Sequence, residues 1–247
     1  MPTHKCSACR SDGTIFDITM AFQPIVDLRQ ERVWGHEALV RGLDGASAAA
    51  VLAQVNDDNR YRFDQQCRVK AVELAAQLFP NDGSRLSVNF QPGAVYEPAA
   101  CIQATLKACS DSGFDPARLT FEFTENEPIV DVAHVERIID MYRQLGFTTA
   151  IDDFGAGYAG LNVLAQLRPD LVKIDMQLVR GIAESPRKQA ILRALTGLAH
   201  ELGITLLAEG VETEDELAII RGFGIDLAQG YYFARPTVAE LPAVSWH

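Results

Sequence analysis

The sequence alternates between short apolar segments of β character and longer segments of helical periodicity, and this alternation limits the possible folds most strongly. Seven or eight strand-and-helix units follow one another in a chain of 247 residues. Such alternation predicts parallel strands joined by right-handed crossovers, and the length matches one closed barrel. The predicted strands are 20–27, 33–41, 85–90, 119–125, 148–153, 171–175, 205–210 and 227–233.

The first two predicted strands depart from this pattern. Only a turn at 29–31 separates them, so we expect an antiparallel hairpin. The sequence therefore predicts an α/β fold, a modified (β/α)8 TIM-type barrel with an antiparallel first strand. Residues 1–18 are expected to form an N-terminal tail or lead-in, and 19–247 the barrel. The lead-in contains His4, Cys6 and Cys9, which suggest a zinc or redox site. They are fewer than the four ligands of a structural zinc site, so the alternative is a chain terminus without such a role.

Composition excludes several classes of function. The net charge of −11 opposes nonspecific binding to nucleic acid, which needs a basic face, so no DNA binding is expected. The sequence has no apolar run long enough for a membrane span and no signal-peptide pattern at its start, which predicts a cytoplasmic protein. A dinucleotide-binding fold is unsupported because no Gly-x-Gly-x-x-Gly follows the first strand.

Polar residues interrupt the predicted strands near their carboxyl ends. A barrel interior is normally filled by branched apolar residues, and the strand ends converge on the face that carries the chemistry. Oxygen ligands of this kind suit Mg²⁺ or Mn²⁺, and five carboxylates exceed what one Mg²⁺ usually takes from a protein. The residues are Glu37, Asn89, Glu122, Asp152, Asp153, Lys173, Glu209 and Gln229.

Two chemical interpretations of this polar set remain open from the residues alone. Two cations that share carboxylates would serve phosphoester hydrolysis. The alternative is an enolase-like or aldolase-like barrel in which Lys173 is a base or forms a Schiff base. Asp152 and Asp153 pose a separate question, because neighbouring side chains of a regular strand point to opposite faces. Either the strand ends there and both acids reach a metal pair, or they lie in a solvated turn.

Eight blocks occur in order along most of the chain. They are Gln23-Pro24-Ile25-Val26, Glu37-Ala38-Leu39-Val40-Arg41, Val88-Asn89, Phe121-Glu122-Phe123-Thr124-Glu125, Asp152-Asp153-Phe154-Gly155, Val172-Lys173-Ile174-Asp175, Ala208-Glu209-Gly210-Val211-Glu212 and Gln229-Gly230-Tyr231. These blocks resemble the EAL-domain family of cyclic-di-GMP phosphodiesterases. The resemblance is closest in style to EAL domains attached to blue-light-sensing flavin modules.

The resemblance implies hydrolysis of cyclic-di-GMP to linear pGpG with two Mg²⁺ or Mn²⁺ ions per active site. It implies that Lys173, Asp152, Asp153 and Glu209 are catalytic, with Lys173 either orienting the attacking water or transferring a proton. One cation would take Glu37, Asn89, Glu122 and Asp152 as ligands. The second would take Asp152, Asp153 and Glu209, so that Asp152 bridges the two.

The resemblance also implies contacts beyond the metal ligands. Gln23, Arg41 and Gln229 would contact the substrate. Glu125 would anchor the loop 152–161, and Glu212 would support the site from behind the ligands. The family further implies a homodimer and a separate sensor or partner protein.

The chain departs from the common family pattern in the loop that follows the aspartate pair. Ala156, Ala159 and Gly160 stand where a threonine and two serines are usual. This departure keeps one alternative open, a catalytically weak EAL domain that acts as a cyclic-di-GMP-binding receptor. Every position that matches a metal ligand is filled, which favours the enzyme.

Overall fold

The computed structural model describes residues 15–92, 95, 97–124, 132–156 and 160–246. Within these residues the strands are β1 Ile18–Asp27, β2 Arg32–Gly42, β3 Arg85–Asn89, β4 Leu119–Thr124, β5 Thr148–Phe154, β6 Leu171–Ile174, β7 Thr205–Ala208, β8 Leu227–Ala228 and β9 Thr237–Val238. The α-helices are α1 Ala48–Leu52, α2 Arg60–Leu78, α3 Pro98–Cys101, α4 Gln103–Ser112, α5 Val132–Gln144, α6 Gly160–Leu167, α7 Met176–Val179, α8 Pro186–Leu202 and α9 Glu214–Gly222. Two short 3₁₀ helices lie at Pro116–Arg118 and Ile182–Glu184.

Eight strands close into a barrel. The order runs from β2 through β8 to β1, and β1 pairs back with β2. β1 is antiparallel to both of its barrel neighbours, and the other neighbouring pairs are parallel. The short strand β9 pairs with β1 at Ala21 and Phe22. The predicted (β/α)8-type barrel with an antiparallel first strand is therefore confirmed.

An apolar layer fills the middle of the barrel. It consists of Ile25, Ala150, Leu171, Leu207 and Leu227, and Trp34 packs against it. The guanidinium of Arg85 lies 5.6 Å from the centre of the Trp34 ring at the amino end of the parallel strands. This apolar layer excludes water from the barrel floor, so a polar group above it can be solvated from the carboxyl end of the strands only.

The outward faces of the strands bind the helices through a larger core. Phe121 and Phe123 are fully buried on β4, and the Phe121 ring lies 4.6 Å from the Tyr142 ring of α5. Helix ends follow the capping signals of the sequence. In α9 the Thr213 hydroxyl accepts from the Glu216 backbone N–H while the Glu216 carboxylate accepts from Thr213, the reciprocal box that the sequence predicts.

Three predicted elements differ from the structure. The predicted strand 227–233 ends at Ala228. The chain turns there, and Gly230 lies so close to the Val211 backbone that a side chain at this position would clash with it. The aromatic residues 231–233 have high β propensity, but here they form that turn. The sequence pattern also predicts single helices over 98–112 and 46–55. The first is divided at Ile102, and the second is reduced to Ala48–Leu52.

Some predictions concern residues outside the described part of the chain. These are His4, Cys6 and Cys9, together with Glu125 and Ala159. The division into a lead-in of 1–18 and a barrel of 19–247 stays a prediction, although the first strand begins at Ile18. Among the helices of the described residues, none has the length and apolar character that crossing a membrane requires.

Candidate active site

The polar residues form a second layer directly above the apolar floor of the barrel. On each of four parallel strands a site residue follows a floor residue two positions later, so both point inward. The pairs are Ala150 with Asp152, Leu171 with Lys173, Leu207 with Glu209 and Leu227 with Gln229. Glu209 and Gln229 lie just beyond the ends of β7 and β8, where backbone hydrogen bonds hold them. The Glu209 N–H donates to the Ile174 carbonyl at 3.1 Å, and the Gln229 N–H donates to the Ala208 carbonyl at 2.9 Å.

Lys173 is the centre of this polar layer. Its side chain is 1% exposed and lies within ion-pair distance of four carboxylates from four different strands or strand ends. The distances from its Nζ atom are 3.3 Å to Glu37, 2.9 Å to Glu122, 3.0 Å to Asp152 and 2.9 Å to Glu209. The residues that the sequence predicts as a convergent site do converge.

An irregularity in β5 resolves the question of the adjacent aspartates. Ile151 pairs with Val172 and Phe154 with Ile174, so Asp152 and Asp153 together lie opposite the single residue Lys173. Asp153 has a φ of 55°, in the left-handed region that aspartate tolerates better than most residues. The extra residue breaks the alternation of the strand, as a β-bulge does. Both aspartates can therefore offer an oxygen to the same site.

Glu37 is held by two amide side chains as well as by Lys173. Asn89 donates to Glu37 Oε1 at 3.0 Å, and Gln229 donates to Glu37 Oε2 at 2.9 Å. Burial raises the pKa of Glu37, but the Lys173 charge and the two amide hydrogen bonds outweigh burial and leave this pKa below its ordinary value. Glu37 is therefore a fixed carboxylate ion.

The pKa values of Glu122 and Glu209 are shifted upward, opposite to that of Glu37. Burial raises the pKa of Glu122 to about 8, since Lys173 offsets only part of the effect and Glu37 and Asp152 add repulsion. Burial likewise raises the pKa of Glu209 well above its ordinary value, with Asp152 and Glu37 as repelling neighbours. One ammonium is too little positive charge for this many acids, so the site favours additional cations.

The carboxylates around Lys173 favour its charged, protonated form. Burial alone would lower the pKa of this lysine, but Asp152, Glu122, Glu209 and Glu37 raise it well above the ordinary value. A base or a Schiff-base nucleophile needs the neutral amine. The aldolase-like and enolase-like interpretations of Lys173 are therefore disfavoured, and the residue can donate hydrogen bonds or a proton.

Two groups of carboxylates have the spacing of metal sites. Glu37, Glu122 and Asp152 each offer an oxygen within 4.8 Å of the others, and so do Asp152, Asp153 and Glu209. Asp152 belongs to both groups. Hard oxygen donors with a shared carboxylate match the needs of a pair of Mg²⁺ or Mn²⁺ ions. The residues present therefore fit the predicted cofactor.

The three predicted substrate residues have different surroundings. Gln23 pairs with Glu37 across the β1–β2 hairpin and donates to the Ala234 carbonyl at 3.4 Å. Arg41 is half-buried on the same face of β2 as Glu37 and donates to the Val40 carbonyl at 2.7 Å. The Gln229 amide oxygen is buried and has no hydrogen-bond partner among the described residues. That oxygen is available to a ligand.

Glu212, the predicted support of the site, lies in the loop between β7 and α9. It is exposed and forms an ion pair with Arg180, and within the described chain it makes no hydrogen bond to a site carboxylate. Glu216 takes a supporting role in this loop instead, since its carboxylate accepts from the backbone of Gly181, Glu212 and Thr213. The roles of Glu212 and Glu125 stay predictions.

A cavity of about 350 Å³ adjoins the carboxylates. Glu37, Asn89 and Asp152 line it at the barrel mouth, and it extends beneath α1 and α2 along an apolar wall that includes Leu52 and Phe63. Its volume falls within the range of small-molecule pockets. The site therefore has an adjoining space in which part of an organic ligand can be enclosed.

Sequence reasoning missed two features of the site. Ser87 lies two residues before Asn89 on β3 and donates its hydroxyl hydrogen bond to Glu122. Asp64 and Arg68 form a buried ion pair on α2, and both line the cavity. Strand alternation could have revealed Ser87, because it shares a face with Asn89. The position of the α2 pair depends on helix packing, which no local pattern specifies.

Comparison with known proteins identifies related chains. The family model described as EAL domain matches residues 14–236. The blue light- and temperature-regulated antirepressor BluF of Escherichia coli K12 is 30% identical over 98% of this chain, which covers 60% of BluF. The cyclic di-GMP phosphodiesterase PA2567 of Pseudomonas aeruginosa is 30% identical over 95% of this chain, which covers 41% of that protein. The chain thus spans about half the length of these relatives.

Solved structures agree with the fold and the family. A standalone versatile EAL protein from Vibrio cholerae O395 in its c-di-GMP-bound form has 50% identity and a TM-score of 0.90, covering 94% of this chain and 98% of that one. Klebsiella pneumoniae BlrP1 in a manganese/cy-diGMP complex has 37% identity and a TM-score of 0.85, covering 90% of this chain and 57% of BlrP1. The predicted likeness to EAL domains of light-regulated proteins is confirmed by BluF and by BlrP1, which was also solved with FMN.

Proposed function

The chain belongs to the EAL-domain family, and on that premise we propose that it hydrolyses cyclic-di-GMP to linear pGpG with two divalent cations, Mg²⁺ or Mn²⁺. The observation that carries this proposal is the pair of carboxylate groups that share Asp152 above the barrel floor. Support also comes from relatives named cyclic di-GMP phosphodiesterases and from neighbours solved with cyclic-di-GMP.

Two cations at this site would lower the pKa of a bound water and neutralise charge on the phosphoryl oxygens. The first would be held by Glu37, Asn89, Glu122 and Asp152. The second would be held by Asp152, Asp153 and Glu209. The acids outnumber the one ammonium at this site, and two divalent cations would neutralise the excess negative charge.

The protein's own groups would orient the reactants. The Lys173 ammonium lies 2.9–3.3 Å from four carboxylates. If these carboxylates bound the cations, its three N–H donors would be released toward a water or a phosphoryl oxygen. Gln229 holds Glu37 through its amide nitrogen and leaves its oxygen for the substrate. Arg41, on the same face of β2 as Glu37, would suit a phosphate oxygen, since a guanidinium offers several donors in a plane. Gln23 is the third proposed substrate contact.

The adjoining cavity would enclose part of the dinucleotide. Its mouth is lined by the same Glu37, Asn89 and Asp152 that would hold cations, so a nucleotide inside it stays next to the reacting phosphate. Apolar residues of α1 and α2 form its far wall, which suits the faces of a base. Holding the substrate at both its phosphate and its base would orient the scissile bond.

We also propose the cellular setting that the family implies. The domain would act in the cytoplasm as a homodimer, with a separate sensor or partner protein controlling it. The relatives BluF and PA2567 are longer than this chain, which is compatible with control by additional domains.

A cyclic-di-GMP receptor is the second candidate function. It is favoured by the relative BluF, which is named as an antirepressor and not as a phosphodiesterase. The loop departure at Ala156, Ala159 and Gly160 favours the same candidate, because the hydroxyls usual in the family are absent from the loop after the aspartate pair. A receptor would bind the nucleotide and leave it intact.

Incubation with cyclic-di-GMP separates the two candidates. We expect the chain with Mg²⁺ or Mn²⁺ to convert cyclic-di-GMP to pGpG, resolved by chromatography at successive times. Glu37→Gln keeps the size of the side chain and removes one ligand charge, so it should yield at least about 100-fold less product. Binding of intact nucleotide by both proteins without any pGpG would establish the receptor.

A further inference from the structure

Ser87 is a buried hydroxyl that touches one of the proposed metal ligands. It lies on β3, is 1% exposed and shares the inward face of the strand with Asn89. Its Oγ donates a hydrogen bond to Glu122 Oε1 on the neighbouring strand. Neither the family blocks nor the predicted site residues include it.

The two oxygens of Glu122 have separate partners. Oε1 accepts from Ser87, whereas Oε2 lies 2.9 Å from Lys173 Nζ. The same Nζ atom contacts Glu37 and Asp152, which form a carboxylate group with Glu122. Oε2 therefore faces the shared space, and Oε1 faces the barrel wall.

Glu122 has no other side-chain partner in the described structure that could fix its rotation. A glutamate side chain has three rotatable bonds, and leaving a buried oxygen unpaired is unfavourable. Without the hydroxyl, Oε1 would turn toward another donor, and Lys173 already contacts this carboxylate. Such a rotation would place both oxygens on the ammonium and withdraw Oε2 from the group with Glu37 and Asp152.

We propose that Ser87 is a positioning residue, whose hydroxyl holds Glu122 Oε1 so that Oε2 is presented to the first cation. The inference rests on the proposed two-cation function. In other metal sites, residues that hydrogen-bond to the ligands orient them, and losing such a residue lowers metal affinity by about 10–100-fold. We assign this orienting role to Ser87. Ser87 itself contacts neither the cation nor the substrate.

Thr120 provides a matched control on the next strand. It is the register partner of Ser87, it is fully buried, and its hydroxyl has no hydrogen-bond partner in the described part of the chain. Thr120→Val removes this hydroxyl with little change of shape, so its effect on metal binding should be negligible. A general effect of altering the barrel interior would appear in both variants.

The test measures Mn²⁺ binding without substrate, by the electron paramagnetic resonance signal of free Mn²⁺. We expect Ser87→Ala to raise the Mn²⁺ Kd by about 10–100-fold, and Thr120→Val to leave the Kd within about twofold of the wild-type value. Ser87→Cys retains a weak hydrogen-bond donor, so its Mn²⁺ Kd should lie between those of Ser87→Ala and Thr120→Val. This variant replaces Ser87→Ala in the test if Ser87→Ala folds poorly. With cyclic-di-GMP, excess Mn²⁺ should restore much of the kcat of Ser87→Ala while KM stays near the wild-type value.

Two outcomes would overturn the inference. One is a Ser87→Ala protein with the wild-type Mn²⁺ Kd, and the other is an equal loss in Thr120→Val. The proposed hydrolysis fails separately, if wild-type protein binds Mn²⁺ and leaves cyclic-di-GMP intact. In that case the comparison of Mn²⁺ Kd values still decides the role of Ser87.

Discussion

Replacing Lys173 by methionine is expected to lower kcat for cyclic-di-GMP by about 10²–10⁴-fold, the range for loss of a group that donates or accepts a proton in the transition state. The ammonium is fully buried and lies 2.9–3.3 Å from four carboxylates. Methionine has a similar length and no charge. Steady-state rates at saturating Mn²⁺ measure the effect, so that a change in metal affinity does not contribute.

The same variant should lose stability in a way that metal can repair. Removing one partner of a buried ion pair costs about 3–5 kcal/mol, because the remaining charges are uncompensated. For a chain of this length that loss lowers Tm by about 10 °C. Added Mn²⁺ supplies the missing positive charge, so the Tm of Lys173→Met should rise more with Mn²⁺ than the wild-type Tm does.

Lys107→Met is the matched control for Lys173→Met. Lys107 pairs with Asp111 at 2.5 Å, but both side chains are more than half exposed. An exposed pair contributes about 0–1 kcal/mol, so this variant should keep wild-type Tm and kcat. Wild-type kcat in Lys173→Met would contradict a role for Lys173 in the reaction.

Replacing Arg68 by methionine is expected to lower the free energy of unfolding by about 3–5 kcal/mol. Arg68 and Asp64 are 1% and 4% exposed, and two guanidinium nitrogens donate to the same Asp64 oxygen at 2.7 and 3.1 Å. A third nitrogen donates to Thr105 at 3.1 Å. The variant would leave a carboxylate buried without its counter-ion. Urea denaturation measures the loss.

The Arg68 prediction has an internal check. The double variant Asp64→Leu with Arg68→Met removes both charges and should recover much of the lost stability. The recovery should be incomplete, because Asp64 also accepts from the Gln91 backbone N–H at 3.0 Å and thereby holds the segment after Asn89. A double variant less stable than Arg68→Met alone would refute the charge-burial explanation.

The barrel and most of the site follow from patterns that are local in sequence. Inward-pointing residues repeat every two positions, so a polar residue two positions after an apolar floor residue marks the upper layer, as with Leu171 and Lys173 or Leu207 and Glu209. Because parallel strand ends converge at one face, the sequence alone brings these residues together. The contacts of Lys173 confirm that convergence.

The parts that the sequence did not reveal depend on three-dimensional packing. The extra residue that lets Asp152 and Asp153 face one site arises from strand register, which is fixed between β5 and β6. The end of β8 at Ala228 depends on how closely Gly230 approaches Val211. The Arg68 contact with Thr105 joins α2 to α4 and requires the two helices to be packed first.

The central claim is that the carboxylates around Lys173 bind two cations that share Asp152. Anomalous scattering from a crystal grown with Mn²⁺ and cyclic-di-GMP tests it most directly, with Lys173→Met used if the wild type consumes the ligand. We predict two Mn²⁺ peaks about 3.5–4 Å apart, both in contact with Asp152. A single peak, or two peaks that do not share Asp152, would contradict the account.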